Sequence, residues 1–305
     1  MSHSKLIISA KIAVSVIVLL ALMSRVEITQ LLRRLNDVDL FYFLISVIFS
    51  ILAVIIVGYR WYLVMAGMQI SFSLAMRATF AGLFVGQILP GAVGVDVVRG
   101  WMVWNMGINN KSLLASLIID RLISLFAVAL MIAAGLPFLV PYLPQWMHSL
   151  VWLFLFGGIL CITLGYFSIN LIRPTTVGQA FERLITRLGL KDLTLSKSVL
   201  TKALGLAVLT HVSIIISAFF MGRAIGIDSA FFMWALLMPI IILITAIPIS
   251  INGWGVREMA MIYLWGLFAV KESDAFLTSV CLGLVAILSS LPGVWFWIKR
   301  KTHNH

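Results

Sequence analysis

The sequence predicts an all-α, polytopic integral membrane helical bundle, and composition, run length and punctuation support this fold class. Hydrophobic residues make up 62% of the 305 residues, and charged residues make up 11%. Several apolar runs exceed the roughly 18 residues that indicate a bilayer span. The segments between these runs are too short and too apolar to fold as a separate soluble domain. We therefore expect a single integral membrane domain over residues 1–305.

Apolar runs, separated by polar, glycine or proline residues, divide the chain into transmembrane segments. The first run lacks a small-x-small cleavage site, so we interpret it as a transmembrane helix and not as a signal peptide. The third, fourth, eighth and ninth segments are short for full spans. The predicted segments are, in order, 6–24, 40–66, 72–89, 95–107, 112–136, 146–172, 199–222, 231–247, 254–270 and 275–298.

Each pair of short segments is joined by a polar, glycine-rich break, and the two breaks are the most informative features of the chain. They cover 89–99 and 247–258, and each places a Val-Arg pair at the same distance after a proline, Pro90 or Pro248. Irregular backbone at membrane depth is tolerated only where it is buried in protein or lines a cavity. We therefore predict two broken or re-entrant helical hairpins.

Charge orients the predicted segments. The net charge of +11 resides mainly in connecting segments, which positive-inside topology explains better than nucleic-acid binding. It predicts cytoplasmic N- and C-termini. We expect the protein to lie in a bacterial inner (cytoplasmic) membrane. The connection at about 173–198 has apolar residues at helical spacing among basic ones, and we expect it on the cytoplasmic surface. This orientation turns the two halves, about 5–136 and 146–299, into inverted-topology repeats, a plan typical of secondary transporters.

Three motifs carry a resemblance to a known family. They are Pro90-Gly91-x-x-Gly94-x-Asp96-x-x-Arg99, the pair Asp120-Arg121, and Gly253-Trp254-Gly255-Val256-Arg257-Glu258. In this order they resemble the transmembrane region of the lysylphosphatidylglycerol synthases, also called flippase-like. The resemblance implies a lipid translocator, here a stand-alone member without the synthase domain. Gln87 stands where Asn is common, Val95 where Gly is common and Asp120 where Glu is usual, so a lysyl-lipid does not follow.

Arginine in hydrocarbon is costly and usually functional, so the charged motif residues are the candidate substrate site. Permanently charged guanidinium forks suit bidentate contact with phosphate, and nearby acids would hold them when the site is empty. The candidate substrate-binding residues are Arg99, Arg257, Arg121, Asp96, Glu258, Asp120, Gln87 and Asn252. Candidate hinge or close-approach residues are Pro90, Gly91, Gly94, Pro248, Gly253 and Gly255.

The predicted function is the movement of a phospholipid or a polyprenyl-phosphate-linked lipid between leaflets, with arginines binding the headgroup phosphate. Two alternatives stay open: a membrane-embedded glycolipid transferase, and an accessory subunit of an envelope-synthesis complex. We expect no enzymatic activity, no metal and no cofactor, because the sequence has no recognisable catalytic constellation or nucleotide motif. Expected partners are membrane lipids, an envelope glycosyltransferase or lipid-modifying enzyme, and a second copy of the chain.

Other buried or charged residues have simpler structural interpretations. Each charged site residue could also belong to an ion pair that only holds two helices together. His211 is expected to be neutral and bonded to a backbone carbonyl. Arg60 and Arg77 are expected to be snorkelling anchors, and Cys161 and Cys281 to be core residues.

Overall fold

The structure is a computed structural model that describes residues 37–68, 70–87, 93–104, 109–145, 148–149, 183, 186, 195–247, 250 and 252–301. In these ranges the regular secondary structure is helical, with two short 3₁₀ turns. We number the α-helices in chain order as α1 (Leu40–Val64), α2 (Phe72–Gly86), α3 (Val93–Trp104), α4 (Asn110–Leu139), α5 (Lys197–Ile225), α6 (Phe231–Ala246), α7 (Val256–Gly266), α8 (Glu272–Ser290) and α9 (Pro292–Lys301).

Four of these helices are long and apolar enough to cross a membrane. They are α1, α4 with its 3₁₀ extension to Tyr142, α5 and α8, and they contain 25, 33, 29 and 19 residues. At 1.5 Å rise per residue, the shortest of them extends about 28 Å, close to the hydrocarbon thickness of ~30 Å. The prediction of a polytopic helical membrane protein is confirmed. The predicted segments 6–24 and 146–172 and most of the connection 173–198 lie outside the described residues.

Local side-chain capping sets where several helices begin. Asp39 accepts from Phe41 N at 2.8 Å before α1, and Ser71 accepts from Leu74 N at 3.2 Å before α2. Asn109 and Ser196 accept comparable bonds at the starts of α4 and α5. Such caps satisfy amide groups that the first helical turn leaves without a partner. Gly226 closes α5 with φ of +91°, a conformation that glycine adopts without steric cost.

The short helices follow the predicted pairing, α2 with α3 and α6 with α7, and each pair flanks a break. The last predicted segment, 275–298, differs from the structure because two helices replace it. Helix α8 ends at Ser290, and α9 begins at Pro292. Proline lacks an amide N–H and disrupts a helix interior, but it is well tolerated at the first helical position. Helix α9 then packs against α2, where a Cβ on Gly293 would lie 2.2 Å from Phe80 O.

Helices α1 and α5 form the most extensive helix pair among the described elements. At their contact, Ser217 donates to Ser46 O at 2.8 Å, and the two serine hydroxyls lie 3.0 Å apart. Small polar residues at a helix interface let backbones approach closely where lipid offers no hydrophobic driving force. This central pair positions α4 and α8, so that the polar side chains of both breaks face the interior of the bundle. Whether the two halves are inverted repeats, and which face is cytoplasmic, stay predictions.

Candidate functional site

A buried carboxylate on α4 holds two arginines from different helices. Asp120 Oδ1 accepts from Arg60 Nε on α1 at 2.7 Å, and its Oδ2 accepts from Arg99 Nη1 on α3 at 3.1 Å. All three residues are at most 3% exposed. A buried ion pair of this kind is tolerated only when the charges are matched and hydrogen-bonded. Asp120 therefore fixes the relative positions of α1, α3 and α4.

The network continues from Arg99 to the start of α3. Arg99 Nη1 also lies 3.3 Å from Asp96 Oδ1, and Asp96 Oδ2 accepts from Arg121 Nη2 at 2.6 Å. Asp96 occupies the first turn of α3, where the helix dipole favours a negative charge. We call Arg60, Asp120, Arg99, Asp96 and Arg121 the basic network. Its three guanidinium groups and two carboxylates leave one excess positive charge.

Several donors of the basic network have no partner among the described residues. Arg60 Nη1 and Arg99 Nε and Nη2 are buried and make no hydrogen bond to the part of the chain that the structure describes. Buried polar groups are almost always satisfied, so such atoms require an explanation such as water or a bound ion. Because the unsatisfied atoms are cationic donors beside an excess positive charge, an anion would complete the network better than a neutral group.

The Arg99 side chain lies between an aromatic ring and a glycine. Its Cζ is 4.2 Å from the centre of the Trp61 ring, a distance typical of a cation–π contact. On the adjacent helix α2, a Cβ added to Gly82 would lie 2.9 Å from both Arg99 Cγ and Val95 O. Trp61 is in turn held by a 3.3 Å bond from its Nε1 to Ser116 Oγ. The guanidinium position is therefore fixed from two sides.

The second break leads to a more compact ion pair at the start of α7. Arg257 Nη2 donates to Glu258 Oε1 at 2.9 Å, and Arg257 Nε contacts Ser279 Oγ on α8 at 3.0 Å. Ser279 donates to the same carboxylate oxygen at 2.8 Å. The other oxygen, Glu258 Oε2, accepts from the Gly255 amide at 2.5 Å. We call Arg257, Glu258 and Ser279 the local pair network; its charges balance.

Arg257 repeats the packing of Arg99 with different partners. Its Cζ lies 4.8 Å from the Trp254 ring, and a Cβ on Gly283 would lie 2.6 Å from Arg257 Nη2. In the break itself, Gly253 and Gly255 have φ values of +81° and +86°. L side chains rarely adopt this conformation, so these two positions require glycine. In both breaks an arginine is thus held between a tryptophan and a glycine.

The second break contacts the end of α2, which leads into the first break, through amide side chains. Asn252 Nδ2, from the second break, donates to Gln87 Oε1, at the end of α2. Beside this contact is a cavity of about 250 Å³ that Gln87 and Arg257 line together with residues of α1, α5, α6 and α8. We call it the central cavity. It joins residues that are 170 positions apart in the sequence and places a guanidinium group on its wall.

A second, larger groove lies between α3 and α4. It has a volume of about 620 Å³ and mostly apolar walls, and the pair of Asp96 and Arg121 contributes to its lining. Trp101 and Leu114 are among the apolar side chains that face it. Apolar walls beside an ion pair are complementary to a lipid, which has an apolar tail and a polar headgroup.

The structure brings the predicted site residues together in three sets. Arg99, Arg121, Asp96 and Asp120 belong to the basic network, Arg257 and Glu258 to the local pair network, and Gln87 and Asn252 to the contact between the breaks. Among the predicted hinge residues, Gly94 lies within the first turn of α3, so it is helical and not part of the break. Pro90, Gly91 and Pro248 lie outside the described residues.

One prediction is wrong. Arg60 is not a snorkelling anchor, because it is 3% exposed and bound to Asp120. Its position inside an apolar run is the only sequence signal that could have found it. His211 does bond a backbone carbonyl, since its Nε2 lies 3.1 Å from Ser124 O. Cys281 is a buried free cysteine, as predicted.

Trp61, Gly82, Ser279 and Gly283 are site residues that the sequence did not reveal. Each acts by packing against or bonding to a charged residue that is 17 or more positions away along the chain. Tryptophan, glycine and serine are common in membrane helices, so no single-sequence pattern distinguishes these four from ordinary packing residues.

Fold and site together define a polytopic helical membrane protein whose interior polar groups converge on two breaks in its helices. The family model of the lysylphosphatidylglycerol synthase transmembrane (TM) region matches residues 8–293, nearly the whole chain. The chain therefore belongs to this family, which relates it to lipid handling in a membrane. A comparison with curated proteins gave no match.

Proposed function

We propose that this protein moves a phospholipid or a polyprenyl-phosphate-linked lipid between the leaflets of its membrane, with Arg99 and Arg257 binding the headgroup phosphate. The observation that carries the proposal is the state of the basic network. Its five described residues sum to one positive charge, and three of its buried guanidinium nitrogens have no partner among the described residues. A buried cationic site of this kind is best explained by an anionic ligand.

The arginine geometry suits a phosphate ester. A guanidinium group presents N–H donors in a planar fork that matches two phosphate oxygens, and it keeps its charge in an apolar setting. Asp120 already occupies Arg99 Nη1, which leaves Nε and Nη2 for a ligand. The carboxylates of both networks thus position the arginines without using all of their donors.

Two further features support movement of a lipid over binding alone. The groove between α3 and α4 has apolar walls for a hydrocarbon tail beside the Asp96–Arg121 pair. The described part of the second break, 252–255, has non-helical backbone, and its Asn252 bonds Gln87 at the end of α2. In transporters such breaks lie at the substrate site and take part in alternating access.

The carboxylates offer less support for the transferase alternative. A general acid or base must reach a substrate proton. Glu258 has no exposed surface, and its oxygens accept from Gly255, Ser279 and Arg257. Asp120 is 2% exposed and holds two arginines. These contacts favour a role in fixing the arginines.

The proposal is tested by lipid movement in proteoliposomes. Acyl-labelled fluorescent phosphatidylglycerol and a labelled polyprenyl-phosphate sugar would be followed by quenching from one side, with wild type, Arg99→Gln and Arg257→Gln. Loss of one charged hydrogen-bond donor predicts at least about a tenfold slower rate. Arg99→Lys and Arg257→Lys, which keep the charge but lose the fork, should be intermediate.

Arg223→Gln is the matched control, because Arg223 pairs with Asp228 at the exposed end of α5, away from both breaks. It should move lipid at the wild-type rate. Size-exclusion chromatography in detergent would confirm that each variant is folded. Unchanged movement in folded Arg99→Gln and Arg257→Gln would refute the site, and no movement of either lipid by wild type would refute the function.

A further inference from the structure

The central cavity has a size and lining that define a headgroup more narrowly than a phosphate alone. Its volume of about 250 Å³ corresponds to roughly eight water molecules at ~30 Å³ each. It therefore has room for a small polar headgroup but not for a lipid tail as well. The inference below rests on the proposed function and asks which headgroup the site takes.

One part of the cavity wall is cationic. Arg257 and Gln87 both line the cavity, and the side-chain oxygen of Gln87 accepts from Asn252. Glu258, the counter-ion of Arg257, is fully buried behind it and is not part of the lining. A ligand in the cavity therefore meets the guanidinium group and not the carboxylate.

Besides Arg257, Gln87 and Ser50, the polar groups of the wall are hydroxyls that already donate their hydrogen within the protein. A hydroxyl has one donor and two acceptor lone pairs, so a donated hydrogen leaves a group that can only accept. Each of three lining hydroxyls donates to a carbonyl of its own helix: Thr210 to Leu206 O at 2.8 Å, Thr245 to Ile241 O at 2.9 Å, and Ser290 to Ile287 O at 2.8 Å.

Ser217 has the same character, because it donates to Ser46 O at 2.8 Å and also lines the cavity. The wall thus combines one cationic donor with several oxygen acceptors contributed by α5, α6 and α8. The guanidinium donors of Arg257 favour an anionic group on the ligand, and the acceptors favour ligand hydrogens. A phosphate that carries only an alkyl group would leave the acceptors unsatisfied.

The lack of a negative charge on the wall decides whether the ligand donates hydrogens from an ammonium group or from neutral hydroxyls. Among the described residues that line the cavity there is no Asp or Glu. A ligand ammonium group would therefore enter an apolar site without a counter-ion and near Arg257, which is unfavourable. Neutral hydroxyls meet no such cost. We infer that the central cavity binds a phosphate-linked polyol or sugar headgroup, with Arg257 on the phosphate and Thr210, Thr245 and Ser290 accepting from its hydroxyls.

The first test is binding of water-soluble probes to the purified full-length protein in detergent. sn-Glycerol 1-phosphate and n-propyl phosphate have the same phosphate and the same chain length, but only the first has hydroxyls. Calorimetry or a thermal-shift titration should show that glycerol phosphate binds at least about fivefold more tightly, about one net hydrogen bond. Equal affinity, or no binding of either probe, would overturn the inference.

Substitutions in the cavity wall show which residues cause the preference for glycerol phosphate. Thr210→Val and Thr245→Val keep the side-chain shape and remove the acceptor. Each should lower the affinity for glycerol phosphate about fivefold and change the affinity for propyl phosphate less than twofold. Thr278→Val is the matched control, because Thr278 donates to Asp274 O at 2.7 Å in the same way but does not line the cavity. It should bind both probes like wild type. A preference unchanged in both cavity variants would overturn the assignment.

Measurements of lipid movement then show whether the ligand of the cavity is a lipid headgroup or a free water-soluble molecule. Phosphatidylglycerol and phosphatidylpropanol have the same charge and tails, and the first should cross faster in wild type. Equal rates would overturn the inference while leaving lipid movement intact. Movement of neither lipid, together with the probe preference, would overturn the proposed function and assign the cavity to a water-soluble polyol phosphate.

Discussion

The two breaks hold an arginine in the same way but balance its charge differently. Arg99 and Arg257 each lie over a tryptophan and against a glycine of a neighbouring helix. The first arginine belongs to a network that joins α1, α3 and α4 and has an excess positive charge, whereas the second belongs to a neutral network within α7 and α8. Similar sequence motifs can therefore produce one network with an excess positive charge and one network whose charges balance.

The largest expected effect follows from removing the central acid of the first break. Asp120→Asn would remove the counter-charge of the buried Arg60 and leave Arg99 only its longer contact with Asp96, which predicts a loss of about 3–5 kcal/mol in folding free energy. Glu258→Gln should cost less, because Glu258 is the counter-ion of one arginine whereas Asp120 is bound to two. Thermal unfolding of the two variants in the same detergent would measure the difference. Equal midpoints would mean that the two networks stabilise the fold equally.

Substituting the glycines that face the arginines should separate stability from function. A Cβ at Gly82 would meet the backbone oxygen of Val95, which cannot move aside, whereas a Cβ at Gly283 would meet only the side chains of Arg257 and Trp254. Overpacking costs about 1–3 kcal/mol, so Gly82→Ala should lower thermal stability more than Gly283→Ala.

Gly283→Ala should instead displace Arg257, and slow lipid movement in folded protein. Gly205→Ala is a suitable control, since a Cβ there would meet no atom within 4 Å. A Gly283→Ala variant with wild-type transport would argue against any role for the position of Arg257.

Removing the aromatic partners should give intermediate effects. Trp61 is fully buried, and a desolvated cation–π contact is worth about 2 kcal/mol, against about 0.5–1 kcal/mol at a more exposed ring such as Trp254. Trp61→Leu should therefore lower the unfolding midpoint more than Trp254→Leu. Trp61→Phe, which keeps a ring but loses the bond to Ser116, should recover part of the difference. A larger effect at Trp254 would reverse the comparison.

The smallest effect concerns the contact that joins the breaks. A double-mutant cycle of Gln87→Ala and Asn252→Ala should give a coupling energy of about 0.5–1.5 kcal/mol, one net hydrogen bond. Gln87→Ala with Asn109→Ala is a control pair, because Asn109 bonds only locally at the start of α4. Additive effects for the Gln87 and Asn252 changes would show that the breaks do not interact energetically.

Much of the fold could be predicted because hydropathy and run length alone set it. The long spans and the four short helices beside the breaks follow from apolar runs bounded by Pro, Gly and capping residues. The division at Pro292 was not predicted, because the apolar run continues through it and the helix end depends on packing against α2.

The site could be predicted only in part. Charged residues in hydrocarbon are conspicuous, so Arg99, Asp120 and Arg257 were evident, and the separate partners of Asp120 and Arg121 follow from their ~100° separation on a helix. Which acid meets which base depends on helix packing, and the role of Arg60 therefore required the structure. Gly82 and Gly283 matter only through what lies opposite them, which no single sequence specifies.

The close contact of Gly293 with Phe80 has a consequence for synthesis. The two residues are 213 positions apart, so α2, which leads into the first break, packs against the last described helix to leave the ribosome. At a synthesis rate of ~5–20 residues per second, α2 waits roughly 10–40 s for this partner. During that interval α2 lacks one of the helices that pack against it. Final packing of the first half is therefore a late event that depends on α9.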